Sequence, residues 1–104
     1  MKRQFHKGGY SNDIANQYVT NEQPIYSLSS ELETQYKYED GKRTDEVAGY
    51  KAWFIQQGLT PFTVKFGDKI KLPEYMSIVE FDNLQAIEIK YNVYFKADGL
   101  KEVK

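Results

Sequence analysis

The strongest constraint on the fold is a run of alternating polar and apolar residues between positions 25 and 66. In one stretch, the first face carries Leu32, Thr34, Tyr36 and Tyr38, and the second carries Glu33, Gln35 and Lys37. A period of two places successive side chains on opposite faces of a strand, so this stretch predicts a half-buried β-strand. Asp40-Gly41 then marks a hairpin turn, and a second strand is predicted over Val47–Gln56.

The remainder of the chain predicts further short strands. These are Phe62–Phe66, Ser77–Phe81 and Val93–Ala97, together with 84–91, which is helical or extended, with Ile87, Ile89 and Tyr91 favouring a strand. Pro73 excludes a long helix over 68–76, so a loop or a single turn is expected there. Short turns between neighbouring strands predict an all-β fold, a curved antiparallel meander that closes into an OB-like barrel of five or six strands. A two-sheet sandwich is the structural alternative.

The ends of the chain are predicted to be less ordered than its centre. Residues 1–23 are polar and show no period, so we expect a flexible N-terminal arm before a single β-barrel domain over 24–104. A short helix over 12–18, capped by Ser11 or Asn12, is the alternative for part of this arm. The last five residues are expected to fray. The N-terminus lacks the apolar core of a signal peptide, and no apolar run is long enough to span a membrane.

Residue types that carry catalysis or bind metals are scarce. The chain has no cysteine and a single histidine, His6, in the predicted arm, so a Cys/His metal site and a histidine-dependent triad are not expected. Asp40, Asp45 and Glu46 could hold Mg²⁺, but the basic residues between them favour a solvated turn. No glycine-rich phosphate-binding motif occurs. We therefore expect no enzyme activity, cofactor or metal, and the absence of cysteine fits a cytoplasmic location.

Aromatic and basic residues instead point to binding. The net charge of −1 disfavours strong binding to duplex DNA, whereas single-stranded DNA needs only a local basic groove and aromatic side chains on which bases stack. The candidate stacking residues are Tyr36, Tyr38, Tyr50 and Trp53. The candidate phosphate-binding residues are Lys37, Lys42, Arg43, Lys51 and Lys65.

These candidates cannot all share one face. Tyr50 and Trp53 point to opposite sides of one predicted strand, so the set is wider than a single site. In the alternative interpretation, most of the aromatic residues form the core and the lysines form a solvated outer face.

Several segments also resemble a known group of proteins. They are YKYEDGKRTDEVAGYKAWF, PFTVKF, IVEFDNLQ and VYFKADGL. Over about residues 33–100 they resemble small proteins of Gram-positive conjugative plasmids, integrative elements and phages, a group similar to auxiliary single-stranded DNA-binding proteins with OB-like barrels. The resemblance implies single-stranded DNA as ligand and a helicase, relaxase or other replication protein as possible partner. A protein-interaction module that uses exposed aromatics or a sheet edge, and a homodimer formed through such an edge, are further expectations.

Overall fold

The structure is a computed structural model, which describes residues 9–103. Its elements are α1 (Asn12–Tyr18), β1 (Ile25–Ser27), β2 (Glu33–Glu39), β3 (Lys42–Gln56), β4 (Phe62–Phe66), β5 (Ile78–Asp82), β6 (Gln85–Ile89), β7 (Asn92–Ala97) and β8 (Gly99–Glu102). Strands account for 54% of the residues that the structure describes, which also contain one short helix. The prediction of an all-β fold is therefore confirmed as far as a mostly β fold, and 68–76 contains no helix, as expected.

The strands form one open sheet in the order β6-β7-β4-β3-β1-β5-β8, and β2 pairs with β3 outside this path. The prediction of a closed barrel is wrong, because β6 and β8 do not meet. The free edge of β6 is instead paired with the residue before α1. Ser11 N–H donates to Ala86 O at 2.9 Å, and Ala86 N–H donates to Ser11 O at 3.0 Å. The meander is also incomplete, since β4 and β7 are parallel.

Residues 11–19, which we expected to belong to a flexible arm, are part of the fold. The alternative of a helix over 12–18 is confirmed, and the Ser11 hydroxyl caps it by accepting from Ile14 N–H at 3.2 Å. Ala15 and Val19 are buried in the same core as the sheet residues. The arm was expected over 1–23, and its residues 1–8 lie outside the described part of the chain.

Residues 28–32 separate β1 from β2 and interrupt the pattern that begins at position 25. At this break, the Ser29 hydroxyl accepts from Trp53 N–H at 2.7 Å, taking the place of a backbone partner on the neighbouring strand. β1 and β2 consequently lie on the same side of β3, one after the other. Between β2 and β3, Asp40 and Gly41 both have positive φ, which matches the two-residue hairpin turn predicted from their sequence.

β3 has 15 residues and two different surroundings. Residues 50–54 pair with β4 and residues 54–56 with β1, whereas residues 42–49 pair with β2 alone. We call β2 together with residues 42–49 the ribbon. At the opposite end of the chain, β8 pairs with β5 over 79–82 and 99–102. The expectation of fraying is therefore wrong for residues 100–102.

Candidate nucleic-acid interface

The two faces of the central sheet differ in burial. On β3 and β4, one side carries the buried side chains Ala52, Phe54, Val64 and Phe66. We call this side the inner face, because it packs into the core cluster. The opposite side, the outer face, carries Lys51 and Trp53 on β3 and Thr63 and Lys65 on β4. The strand alternation therefore separates the predicted basic residues Lys51 and Lys65 from the apolar core.

Three lysines lie side by side across the outer face. Lys51 is opposite Lys65 in the β3–β4 pair, and Lys65 is opposite Lys96 in the β4–β7 pair. We call Lys51, Lys65 and Lys96 the lysine row. Like charges directly opposite each other on neighbouring strands are destabilising. The register therefore places three lysines at neighbouring positions, an arrangement that is expected to cost stability.

No ion pair of the described residues includes a member of this row, although Glu33 of β2 lies opposite Lys51. Two ion pairs occur within residues 9–103, Lys37 with Glu46 and Lys101 with Glu80. Neither involves a member of the lysine row, so no carboxylate oxygen of the described residues lies within 4.0 Å of its three ammonium groups. The row is thus a local positive patch on a chain whose net charge is −1. Such a patch attracts anions even where the whole molecule does not.

An aromatic row runs beside the lysines at the next outer-face positions. Trp53 is 41% exposed and Tyr94 is 47% exposed, and Thr63 of β4 lies on the strand between them. Trp53 Nε1 donates to the Glu33 carboxylate at 3.1 Å, which fixes the orientation of the indole. Trp53 and Tyr94 therefore present partly exposed rings next to the lysine row, a combination that suits single-stranded nucleic acid, although Glu33 places one carboxylate on the same face.

A depression beside Lys65, the central residue of the lysine row, brings in part of the ribbon. It has a volume of about 360 Å³, and its lining includes Glu33, Tyr36, Tyr38, Arg43 and Lys65. The Arg43 guanidinium carbon lies 4.9 Å from the centre of the Tyr36 ring, within the range of a cation–π contact. Six of the nine predicted residues are therefore close to this face: Tyr36, Tyr38, Arg43, Lys51, Trp53 and Lys65.

The other three predicted residues are placed differently. Tyr50 pairs with Phe66 on the inner side of the sheet and is half-buried. The Lys37 ammonium lies 3.6 Å from Glu46, so its charge is already paired. Lys42 lies beside the hairpin turn, opposite Glu39. From 33 to 49 the ribbon carries five carboxylates and three basic side chains, a net charge of −2 that is unfavourable for phosphate.

Sequence reasoning missed three residues of this surface. Lys96 and Tyr94 belong to β7, and Tyr10 lies at the edge of β6, where the Lys96 ammonium is 4.5 Å from the centre of its ring. The alternation of Tyr94 and Lys96 with Phe95 and Ala97 would have indicated a polar strand face. Their place next to β4 follows only from the parallel β4–β7 pair, which the order of residues does not reveal.

The remaining features offer no comparable site. A cavity of about 590 Å³ lies between α1 and β5 on the other side of the sheet, and no lysine or arginine is among its lining residues. Within residues 9–103 there is no cluster of metal-ligating side chains. In the same range, no helix has the length and apolar character that crossing a bilayer requires.

Comparisons with known proteins do not identify a family for this chain. No protein-family model, curated protein or solved structure matches the chain. The resemblance to single-stranded DNA-binding proteins of mobile elements stays a prediction. What the fold and the site define is an open β-sheet with a basic and aromatic outer face.

Proposed function

We propose that the protein binds single-stranded DNA on the outer face, with little sequence preference, as an accessory protein in the replication or transfer of a mobile genetic element. The observation that supports this proposal best is the lysine row, three lysines outside the ion pairs of the described residues, beside Trp53 and Tyr94. A fold keeps such a row against its own repulsion where an anionic ligand neutralises it.

In the proposed binding mode, basic and aromatic side chains contact different parts of the DNA strand. The lysine row contacts the phosphates of one strand, and the rings of Trp53 and Tyr94 stack with its bases. Stacking of this kind is worth about 1–3 kcal/mol per base and does not depend on which base is present. Neighbouring strands are roughly 4.8 Å apart, so the three lysines span about 10 Å across the sheet. The site therefore contacts a short length of single strand.

The experiment uses Trp53, the single tryptophan of the chain, as its own probe. Addition of oligo-dT at low salt is expected to quench the Trp53 emission, because a base stacks on the exposed indole. Each phosphate neutralised on single-stranded DNA contributes about −0.7 to the slope of log K against log salt, so three lysines predict a slope of roughly −2. Absence of both quenching and a gel shift at low salt would contradict the proposal.

A pair of matched variants tests whether DNA binding depends on the outer face or on the overall charge of the protein. Lys65→Gln removes the central cation of the row. Lys101→Gln removes a cation of β8, the edge strand of the sheet, whose ammonium lies 3.9 Å from the Glu80 carboxylate. Both variants change the net charge by the same amount. Lys65→Gln is expected to weaken binding and reduce the salt slope by about 0.7, whereas Lys101→Gln leaves both unchanged. Equal losses in the two variants would indicate bulk attraction only.

A second candidate function rests on the ribbon. Tyr38 is 68% exposed and Val47 is 42% exposed on a segment that is net negative, which suits a protein partner better than DNA. In this alternative the protein recruits a helicase, relaxase or other replication protein. After nuclease treatment, the wild type and Lys65→Gln should both retain such a partner, and Tyr38→Ser should lose it. Retention that depends on Lys65 instead would favour the DNA-binding proposal.

A further inference from the structure

The sheet is split next to the aromatic row. The pairing of β4 with β7 begins only at Val64 and Phe95, so the preceding residues of both strands are not paired with each other. A cleft of about 350 Å³ lies at this split. The cleft therefore forms because the parallel strands β4 and β7 pair over only three residue pairs.

Four of the nine residues that line the cleft are aromatic, and three more are aliphatic. Its lining includes Tyr18, Trp53, Phe62 and Phe95, and the side chains of Thr60 and Thr63 add two hydroxyl groups. The Tyr18 hydroxyl donates to the Glu88 carboxylate, so that ring is held in place. Aromatic walls with a few polar groups are typical of a site for a flat, partly polar ring. A volume above 300 Å³ is in the range of small-molecule sites.

The cleft is continuous with the outer face. Trp53 and Thr63 belong both to its lining and to the outer face, and Lys65 is the next outer-face position along β4 after Thr63. Two residues of a strand span about 7 Å, so the mouth of the cleft lies about that far from the middle of the lysine row. A polyanion that follows the row therefore brings its bases to this mouth.

We propose that the cleft takes one unstacked base of the bound DNA strand, with its ring between the aromatic walls and its polar edge towards Thr60 and Thr63. This inference rests on the proposed binding of single-stranded DNA, and it adds a pocket for one base to a face that otherwise stacks bases on its surface. The positive row outside the cleft is what favours a base of a polyanion over an uncharged aromatic ligand.

The test fills the cleft and leaves the lysine row intact. Val93→Phe and Leu59→Phe each add a ring from a different wall, from β7 and from the loop before β4. Ile89→Phe adds the same ring at an exposed position on β6 outside the cleft and serves as the control. Binding is measured by the fluorescence anisotropy of labelled oligo-dT and of an abasic strand of equal length. Circular dichroism and thermal melting confirm that each variant is folded.

Each filling variant is expected to weaken oligo-dT binding at least about fivefold, the loss of one stacked base, without changing binding to the abasic strand. Ile89→Phe should bind both strands as the wild type does. If folded variants with a filled cleft bind oligo-dT unchanged, the inference is overturned while the binding proposal stands. If the wild type binds neither strand at low salt, the binding proposal itself fails. Loss of a protein partner without any effect on DNA would assign the cleft to an aromatic side chain of that partner.

Discussion

The two halves of β3 show how differently one strand can be used. Over residues 50–56, β3 pairs with β4 up to residue 54 and with β1 from residue 54 onwards, and Ala52, Phe54 and Gln56 are fully buried side chains. Over residues 42–49, it has one neighbour, and most side chains are exposed. Residues 42–46 are all polar, whereas most of residues 50–56 are apolar. Both the composition of each half and the number of strands beside it therefore separate the core from the exposed surface.

The ribbon depends on contacts within itself. The Thr44 hydroxyl donates to Lys37 O at 2.8 Å and accepts from Glu46 N–H at 3.2 Å. The exposed Lys37–Glu46 pair is worth at most about 1 kcal/mol. Two register shifts interrupt the pairing of β2 with β3. An isolated two-stranded hairpin is only marginally stable, so the ribbon is expected to open without unfolding the sheet.

The largest expected effect contrasts one aromatic residue from each half. Phe54 is fully buried and its ring contacts those of Phe62, Phe66 and Phe81. Phe54→Ala is expected to lower the free energy of unfolding by about 3–5 kcal/mol. Tyr38→Ala on the ribbon should change it by less than about 0.5 kcal/mol. Urea denaturation followed by circular dichroism measures both. Similar losses in the two variants would mean that the ribbon belongs to the cooperative core.

The junction between the halves gives the next largest effect. A Cβ at Gly49 would lie 2.9 Å from Lys65 Cε and 2.9 Å from the Phe66 carbonyl oxygen. The lysine can move aside, but the backbone oxygen of β4 cannot do so cheaply. Gly49→Ala is therefore expected to cost about 1–3 kcal/mol and to displace Lys65, with weaker oligo-dT binding. An unchanged unfolding midpoint would show that β4 shifts to accept the methyl group.

Removal of one charge from the lysine row should increase the free energy of unfolding, whereas the substitutions above decrease it. Lys65 has a lysine directly opposite it on each neighbouring strand, so Lys65→Gln is expected to stabilise the fold by about 0.2–1 kcal/mol. The same substitution weakens DNA binding in the proposal above. Thermal melting of Lys65→Gln beside Lys101→Gln tests this trade-off. A destabilised Lys65→Gln variant would mean that the row is not repulsive in the folded protein.

The smallest expected effect is a pH dependence on the helix side of the cleft. The hydrogen bond to Glu88, with smaller contributions from burial and from the Glu88 charge, raises the pKa of Tyr18 above its ordinary value of 10.0. The folded state therefore favours the neutral phenol more than the unfolded state does. This stability is fully present below pH 10 and is lost as the pH rises through the raised pKa of Tyr18.

Tyr18→Phe is thus expected to lose less stability than the wild type between pH 9 and pH 11. Urea midpoints at the two pH values provide the measurement. Equal losses in both proteins would show that the Tyr18–Glu88 bond does not contribute to folding.

Local pattern and tertiary neighbours explain what the sequence could and could not predict. Phe62–Phe66 was predicted with its observed bounds, and the Asp40-Gly41 turn formed as expected, because both depend on residues next to each other. The closed barrel was wrong because the pairing of Ser11 with Ala86 occupies the edge of β6, and no local pattern predicts that contact.

The residues of the candidate site also fall into those that local pattern predicts and those that depend on tertiary neighbours. Lys51, Trp53 and Lys65 were recognised from two neighbouring strands, and the β3–β4 register places all three on one face. Lys96 and Tyr94 could not be added, because the sequence does not reveal that β7 returns in parallel to β4. Lys37 was included although Glu46 pairs with it, since the bulged register of the ribbon sets that contact.

The bridge between Ser11 and Ala86 has a consequence for biosynthesis. Asn12 beside it bonds to Asn83 and Leu84, partners 71 and 72 positions later in the chain. With seven residues, α1 is shorter than the roughly 12–15 that a helix needs to persist alone in water. Ser11 and α1 are synthesised before β6, so α1 is not expected to persist until β6 has been made. A nascent chain that ends before Ala86 therefore cannot complete its fold.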